Sequence, residues 1–535
     1  MSKNHIPAAS RAALLRSLAA TFFSVGLAAC GGGGGSSSVT PTPPAPTPVV
    51  SGPSWNAFGR DAQHSALGGA VASQPLARLV WRTAVDRAPQ YQTNGSLLIH
   101  YGSPVISAHN TVIVPVKTTA TNGFVIEARS GADGALAWSA ATDYVTPAAN
   151  WKPSFNPALN AAGRVYMPGA GGKVLFRDDV DAPTGALQTS VFFGADIYAQ
   201  SKTIFDATVY ISTPLTIDAA GNVYFGFSVS GANPAGLVGG FARLGADGRN
   251  SWISSAAAAG NATMTHPATN AAPALSPDGR TVYVVVNNDS VNNSRQNGYL
   301  LALDSSTLAT RASMRLIDPV TGAPAGVTGN STASPTVGPD GDVYIGVLES
   351  NLPAHNYRGW LLHYDAALSR TKAAGAFGWD DTASIVPASM VPSYTGSSSY
   401  LLMTKYNNYR GAGTGDGRNA LAILDPNVTQ VDPISGSPVM REVLTILGVT
   451  PEGDPAYPAA VREWCINTAA VDPLTRSVLV NSEDGYLYRW DLGTNTFTER
   501  IALTSGFAES YTPTALGPDG KVYAINNAVL FAAGR

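Results

Sequence analysis

The sequence predicts an all-β fold: an eight-bladed β-propeller of four-stranded antiparallel blades, with seven blades as the alternative. Three observations predict it. The first is a recurring phrase. Ala161-Ala162-Gly163-Arg164-Val165-Tyr166 returns as Ala219-Ala220-Gly221-Asn222-Val223-Tyr224, and Pro277-Asp278-Gly279-Arg280-Thr281-Val282-Tyr283 returns as Pro339-Asp340-Gly341-Asp342-Val343-Tyr344 and Pro518-Asp519-Gly520-Lys521-Val522-Tyr523. A Gly-bearing turn followed by β-branched and aromatic residues is hairpin chemistry. Its repetition means one small unit copied around a ring or along a stack. The second is composition: charged residues are 13% of 535, about half the usual share, while 55 Gly and 37 Pro supply turns. The third is spacing. Small-residue strands, most of them led by Pro, begin near positions 104, 157, 214, 273, 335, 387, 468 and 513, which gives eight units.

Each unit reads as four strands. The short first strand is Ser103-Pro104-Val105, Thr213-Pro214-Leu215, Ala272-Pro273-Ala274 or Ser334-Pro335-Thr336. The Val-Tyr strand follows it. The third carries a Leu-rich pattern ending in Asp, as in Leu300–Asp304, Leu361–Asp365, Leu421–Asp425 and Leu487–Asp491. The fourth often holds a Trp, as at Trp138 and Trp252. The irregular sixth unit is the reason seven blades stays open. The eighth unit stops at Phe531 with three strands written, and an orphan Leu79-Val80-Trp81-Arg82 lies upstream of the first. Ring closure follows: residues near 77–85 complete the last blade, so no edge is left bare.

The first 54 residues are a different material. Lys3, Arg11 and Arg16 precede a short apolar run, Leu18–Leu27, which is signal-peptide length rather than a membrane span. Leu27-Ala28-Ala29-Cys30 resembles the lipobox of bacterial lipoproteins, which implies cleavage of residues 1–29 and acylation of Cys30; ordinary cleavage after Ala29 is the alternative. Gly31 rather than Asp implies the outer membrane, facing the periplasm or the cell surface. Residues 30–54 form a Gly/Ser- and Pro-rich tether, and the propeller occupies 55–535. With Cys465 the only other cysteine, no internal disulfide forms after lipidation. A net charge of -3 without a basic run excludes nucleic acid. The expected partners are the outer membrane, through the anchor, and a protein or glycan ligand; the expected state is a monomer.

The repeats, with Trp55-Asn56-Ala57-Phe58-Gly59-Arg60-Asp61 and His64-Ser65 ahead of them, resemble the quinoprotein alcohol dehydrogenase-like (PQQ-like) propellers. That resemblance covers about Ser54 to Arg535. It implies either a quinone-dependent dehydrogenase or a propeller lipoprotein of outer-membrane assembly. The enzymes of that family stack PQQ on a vicinal disulfide, which Cys30 and Cys465 cannot form, and no haem-attachment motif is present. The sequence therefore argues against PQQ. No zinc-type His pair and no Gly-x-Ser-x-Gly elbow occurs either. The Asp-Gly turns read as hairpin chemistry, and His363, in a third strand, as packed.

What remains is a set of loops. In a four-stranded blade, the connections between strands two and three share one face with the segments leading into each first strand. That face collects Asp380 and Asp381, then Lys405, Asn407 and Asn408, then Glu463 and Trp464, then Glu483 and Asp484, then Glu509 and Tyr511. Tyr101, Asn150-Trp151-Lys152 and His266 stand at equivalent places in earlier blades. Carboxylates beside a lysine, amides and aromatic rings suit a protein, glycan or envelope ligand. Hard oxygens at Asp380 and Asp381 select Ca²⁺ as the candidate metal. Paired carboxylates also suit general acid–base work, so a PQQ-type oxidoreductase or a carboxylate-dependent hydrolase or lyase is the alternative function; catalytic residues stay unassigned. These carboxylates are expected to be exposed at the mouth and unimportant to the blade cores. Cys465 is expected to pack as a small hydrophobe.

Overall fold

Residues 51–535 are described by a computed structural model, apart from 92–96, 98–100, 121–122, 147–154, 289–294, 329–332 and 506–509. Cys30, the segments around it, Asn150-Trp151-Lys152 and Glu509 therefore lie outside the described residues. No helix among the described residues is long and apolar enough to cross a membrane.

The chain forms eight antiparallel sheets in sequence order, each a blade. Blade one runs Val105–Ile106, Thr111–Lys117, Phe124–Ser130 and Leu136–Ala141, pairing each strand with the next. Blade eight is Ala515–Leu516, Val522–Asn526 and Val529–Gly534, completed by Arg78–Ala84 from the other end of the chain. That last pair is antiparallel, with Arg82 opposite Phe531 and Ala84 opposite Val529. The ring closes as the orphan strand implies. The irregular sixth unit is a full blade, lengthened by an outer hairpin of Ala420–Val431 and Pro438–Leu447. Blade five differs: it keeps three regular strands, and isolated bridges at Thr371 and Gly375 stand where the fourth belongs.

The recurring phrase has a packing reason. Its Gly takes a left-handed backbone, as at Gly279, Gly341 and Gly520, with φ of 69°, 89° and 83°. The β-branched and aromatic residues that follow are buried. The tyrosine hydroxyl then reaches the next blade: Tyr224 to the Ser305 carbonyl at 3.0 Å, Tyr283 to that of Ala366 at 2.7 Å, Tyr344 to Tyr400 at 2.6 Å. The fourth-strand Trp does the same, since the Trp138 indole donates to the Val180 carbonyl and that of Trp81 to Gly131. His363 is packed, its ring stacked on Tyr344 and its Nε2 2.8 Å from Asp342.

Two rings of polar contact mark the ends of the channel. At the starts of the first strands, side-chain oxygens accept from or donate to the neighbouring blade: the Ser103 N–H to Asn156 Oδ1, Ala272 to Ser334 Oγ, Ser334 to Thr382 Oγ1, and the Ser384 hydroxyl to the Ala469 carbonyl. At the far ends, residues 52–74 run past the blades in turn. Trp55 bridges Ile106, the Asn56 carbonyl accepts from Leu159, Ala57 packs among blades two and three, and Ala62, Gln63, Ser65 and Ala66 accept from Leu275, Val337, Ile385 and Val471. Gln74 then donates to Gly520 of blade eight. The segment that resembles a propeller leader is thus a collar across one end, leaving the loops of interest at the other.

Candidate functional site: an acidic cluster on blades six to eight

The lead-in to blade six crosses a tight bend. Asp380 takes φ of 52°, a left-handed conformation costly for a residue other than Gly, and both it and Asp381 are buried, at 8% and 1% exposure. The Asp381 carboxylate accepts from the Thr404 hydroxyl and from the Lys405 peptide N–H. Burial pushes its pKa up to about 7 against the pull of the Lys405 charge, and Asp380 adds to the rise. The expectation of exposed mouth carboxylates is therefore corrected. The lead-ins of neighbouring blades pack over one another, and the Thr382 N–H donates to the Asn467 carbonyl at 2.9 Å.

Lys405 lies in the second strand of blade six, Tyr400–Tyr406, and is 1% exposed. Its ammonium stands 5.8 Å from the ring of Phe377 and 5.4 Å from that of Tyr511, within cation–π range. Tyr511 belongs to the lead-in of blade eight and packs on Cys465 from the lead-in of blade seven. The Cys465 thiol donates to Glu483 and lies 4.0 Å from Glu463. Ligating atoms of Glu463, Cys465 and Glu483 all fall within 4.8 Å of one another. Tyr409 completes the group: burial holds its phenol well above the usual range, and Glu463, Cys465 and Asp380 are close enough to contribute.

Asp380, Asp381, Lys405, Glu463, Glu483 and Tyr511 thus come together. The other expected residues do not. Asn407 braces the chain, accepting from the Trp464 N–H at 3.1 Å and donating to its carbonyl. Asn408 turns away to Asp416 and Asn356. Trp464 packs on Tyr488 and Phe497 in the core of blade seven. Asp484 accepts from Thr450 and Tyr488 rather than facing the cluster. Of the earlier blades, Tyr101 is engaged with the buried Asp86–Lys117 pair, and His266 Nδ1 lies 2.8 Å from the Thr265 hydroxyl.

No family model matches the sequence, and no curated protein does. Solved structures do match. A europium-containing methanol dehydrogenase aligns over 88% of this chain and 89% of its own, with a TM-score of 0.51 and 12% identity. The chain has the propeller fold of that enzyme. BamB from Moraxella catarrhalis aligns over 85% of this chain and 98% of its own, with a TM-score of 0.39 and 13% identity. The quinohemoprotein alcohol dehydrogenase of Comamonas testosteroni gives 88%, 70%, 0.40 and 10% for the same quantities.

On this propeller, sequence reasoning undervalued Cys465, Tyr409 and Thr404. Cys465 was expected among apolar groups, yet a carboxylate is its partner. The parity of an extended chain carries the missing signal. Alternate residues point to opposite faces, so Glu463 and Cys465 share the face from which Trp464 is excluded.

Proposed function

We propose that this chain is an exported lipoprotein, acylated at Cys30, whose propeller binds a glycan or protein of the cell envelope at the acidic end of its channel. A divalent cation held by Glu463, Cys465 and Glu483 assists that binding. One observation carries the reading: two carboxylates and a thiol with mutually close ligating atoms, Cys465 and Glu483 buried, beside the further carboxyls of Asp380 and Asp381. Gathering that many acidic groups away from water is unfavourable unless protons or a cation neutralise them. The cation sits better here than at Asp380 and Asp381, where Thr404 and a peptide N–H already engage Asp381. A thiolate in the ligand set favours Zn²⁺ over the Ca²⁺ that carboxylates alone select. The quinone-enzyme alternative is supported by fold likeness only.

Calorimetric titration of the full-length chain with ZnCl₂ and with CaCl₂ tests the site. Zn²⁺ is expected to bind, and Glu483→Gln to weaken it by roughly tenfold or more. Absence of binding by either ion removes the cation from the proposal. Metabolic labelling with a fatty-acid probe tests the anchor: label in the wild type and none in Cys30→Ser is expected, and label retained by Cys30→Ser refutes lipidation there.

A further inference from the structure

Lys405 is the cation of the acidic cluster, and among the described residues its ammonium stands in no ion pair. Its residue is 1% exposed, and among the described residues its ammonium meets two aromatic rings, with neither a hydrogen bond nor a carboxylate in ion-pairing range. Asp381 feels the Lys405 charge, but its carboxylate is also engaged by the Thr404 hydroxyl and a peptide N–H. Ring faces attract an ammonium, but they do not replace the water and counter-charge that burial removes. Direction matters as much as burial. Lys405 belongs to blade six, whereas Tyr511 leads into blade eight. A side chain reaching from six to eight passes in front of the lead-in of blade seven, so it points toward the channel axis.

We infer that Lys405 is the anion-holding arm of this site, and that the ligand presents a carboxylate to it. The inference rests on the acidic-site reading above and specifies the ligand's chemistry. The rings of Phe377 and Tyr511 flank the ammonium and hold it in place, and a carboxylate docking against it forms charge-assisted hydrogen bonds in a setting that excludes water. The neighbouring acids define what else must be present. Asp380, Glu463 and Glu483 repel a bare anion, so a cation at Glu463, Cys465 and Glu483 makes the site receptive, and the ligand carboxylate bridges that ion and Lys405. A small free polycarboxylate and the uronate of an acidic glycan share this chemistry.

The test uses the full-length chain, Zn²⁺-loaded and metal-free, titrated with citrate, with oligogalacturonate and with a neutral oligosaccharide of the same length. One of the two carboxylate probes is expected to bind the loaded protein, and the probe that binds identifies the source. Lys405→Met is expected to weaken it at least tenfold, as loss of a charge-assisted hydrogen bond predicts, with Lys405→Arg retaining most of the affinity. Lys405→Gln serves if the Met variant does not fold. Unchanged affinity in the folded Lys405 variants, or equal binding of the neutral oligosaccharide, overturns the inference. A protein that binds Zn²⁺ but neither carboxylate overturns it while leaving the acidic-site reading intact. One that binds neither the ion nor a carboxylate overturns both.

Discussion

Tyr224, Tyr283, Tyr344 and Tyr523 hold the same place in the recurring phrase, and each hydroxyl meets a polar group of another blade. Their strand position was legible in the sequence because turn chemistry and alternation are local. Tyr283→Phe leaves the Ala366 carbonyl without its donor and is expected to cost about 1 kcal/mol in urea unfolding; a loss indistinguishable from zero would deny the inter-blade role. Asp381 illustrates the opposite case. Its burial depends on how segments from three blades stack, which no local pattern reveals. With its folded pKa raised to about 7, the native state binds more protons than the unfolded state between about pH 4 and pH 7. Asp381 therefore withdraws stability as pH rises through that window. Asp381→Asn is expected to match wild type near pH 4 and to exceed it by more than about 1 kcal/mol at pH 8. A stability difference that stays constant from pH 4 to pH 8 contradicts this.

Antiparallel counting placed five loops at one end of the ring, and the structure brings described side chains from all five together. What counting missed is which neighbour on each loop turns inward. Glu483 meets Cys465 while Asp484, one residue on, accepts from Thr450 and Tyr488. The same split separates Glu463 from Trp464. It gives a contrast: Asp484→Ala strips two hydroxyl donors of their acceptor and is expected to lower the melting temperature without changing Zn²⁺ affinity, whereas Glu483→Gln does the reverse. Loss of ion binding in a folded Asp484→Ala protein would return that residue to the site.

For the whole molecule, blade number and ring closure were readable because the last unit lacks a strand that the start of the chain supplies. The collar was not readable: residues 52–74 carry a resemblance but no periodicity, and their hydrogen bonds go to residues up to hundreds of positions away. Deleting residues 55–90 removes both the collar and Arg78–Ala84, baring the edge of Val529–Gly534. A markedly lower, broader melting transition is expected by circular dichroism, and an unshifted midpoint would mean the ring stands without them.

The collar also has a temporal meaning. The N–H of Arg535, the final residue, donates to the side chain of Gln74, 461 positions earlier. Contacts of such separation form slowly. A nascent chain can dock Trp55 and Asn56 on blades one and two as these are made, but the Gln74 N–H and the strand Arg78–Ala84 have no backbone partner until blade eight exists. A chain stopped before blade eight then leaves an exposed edge and an unpaired Arg78–Ala84 together, a species prone to aggregation and digestion. Docking of Arg78–Ala84 is, in effect, a signal that blade eight has formed.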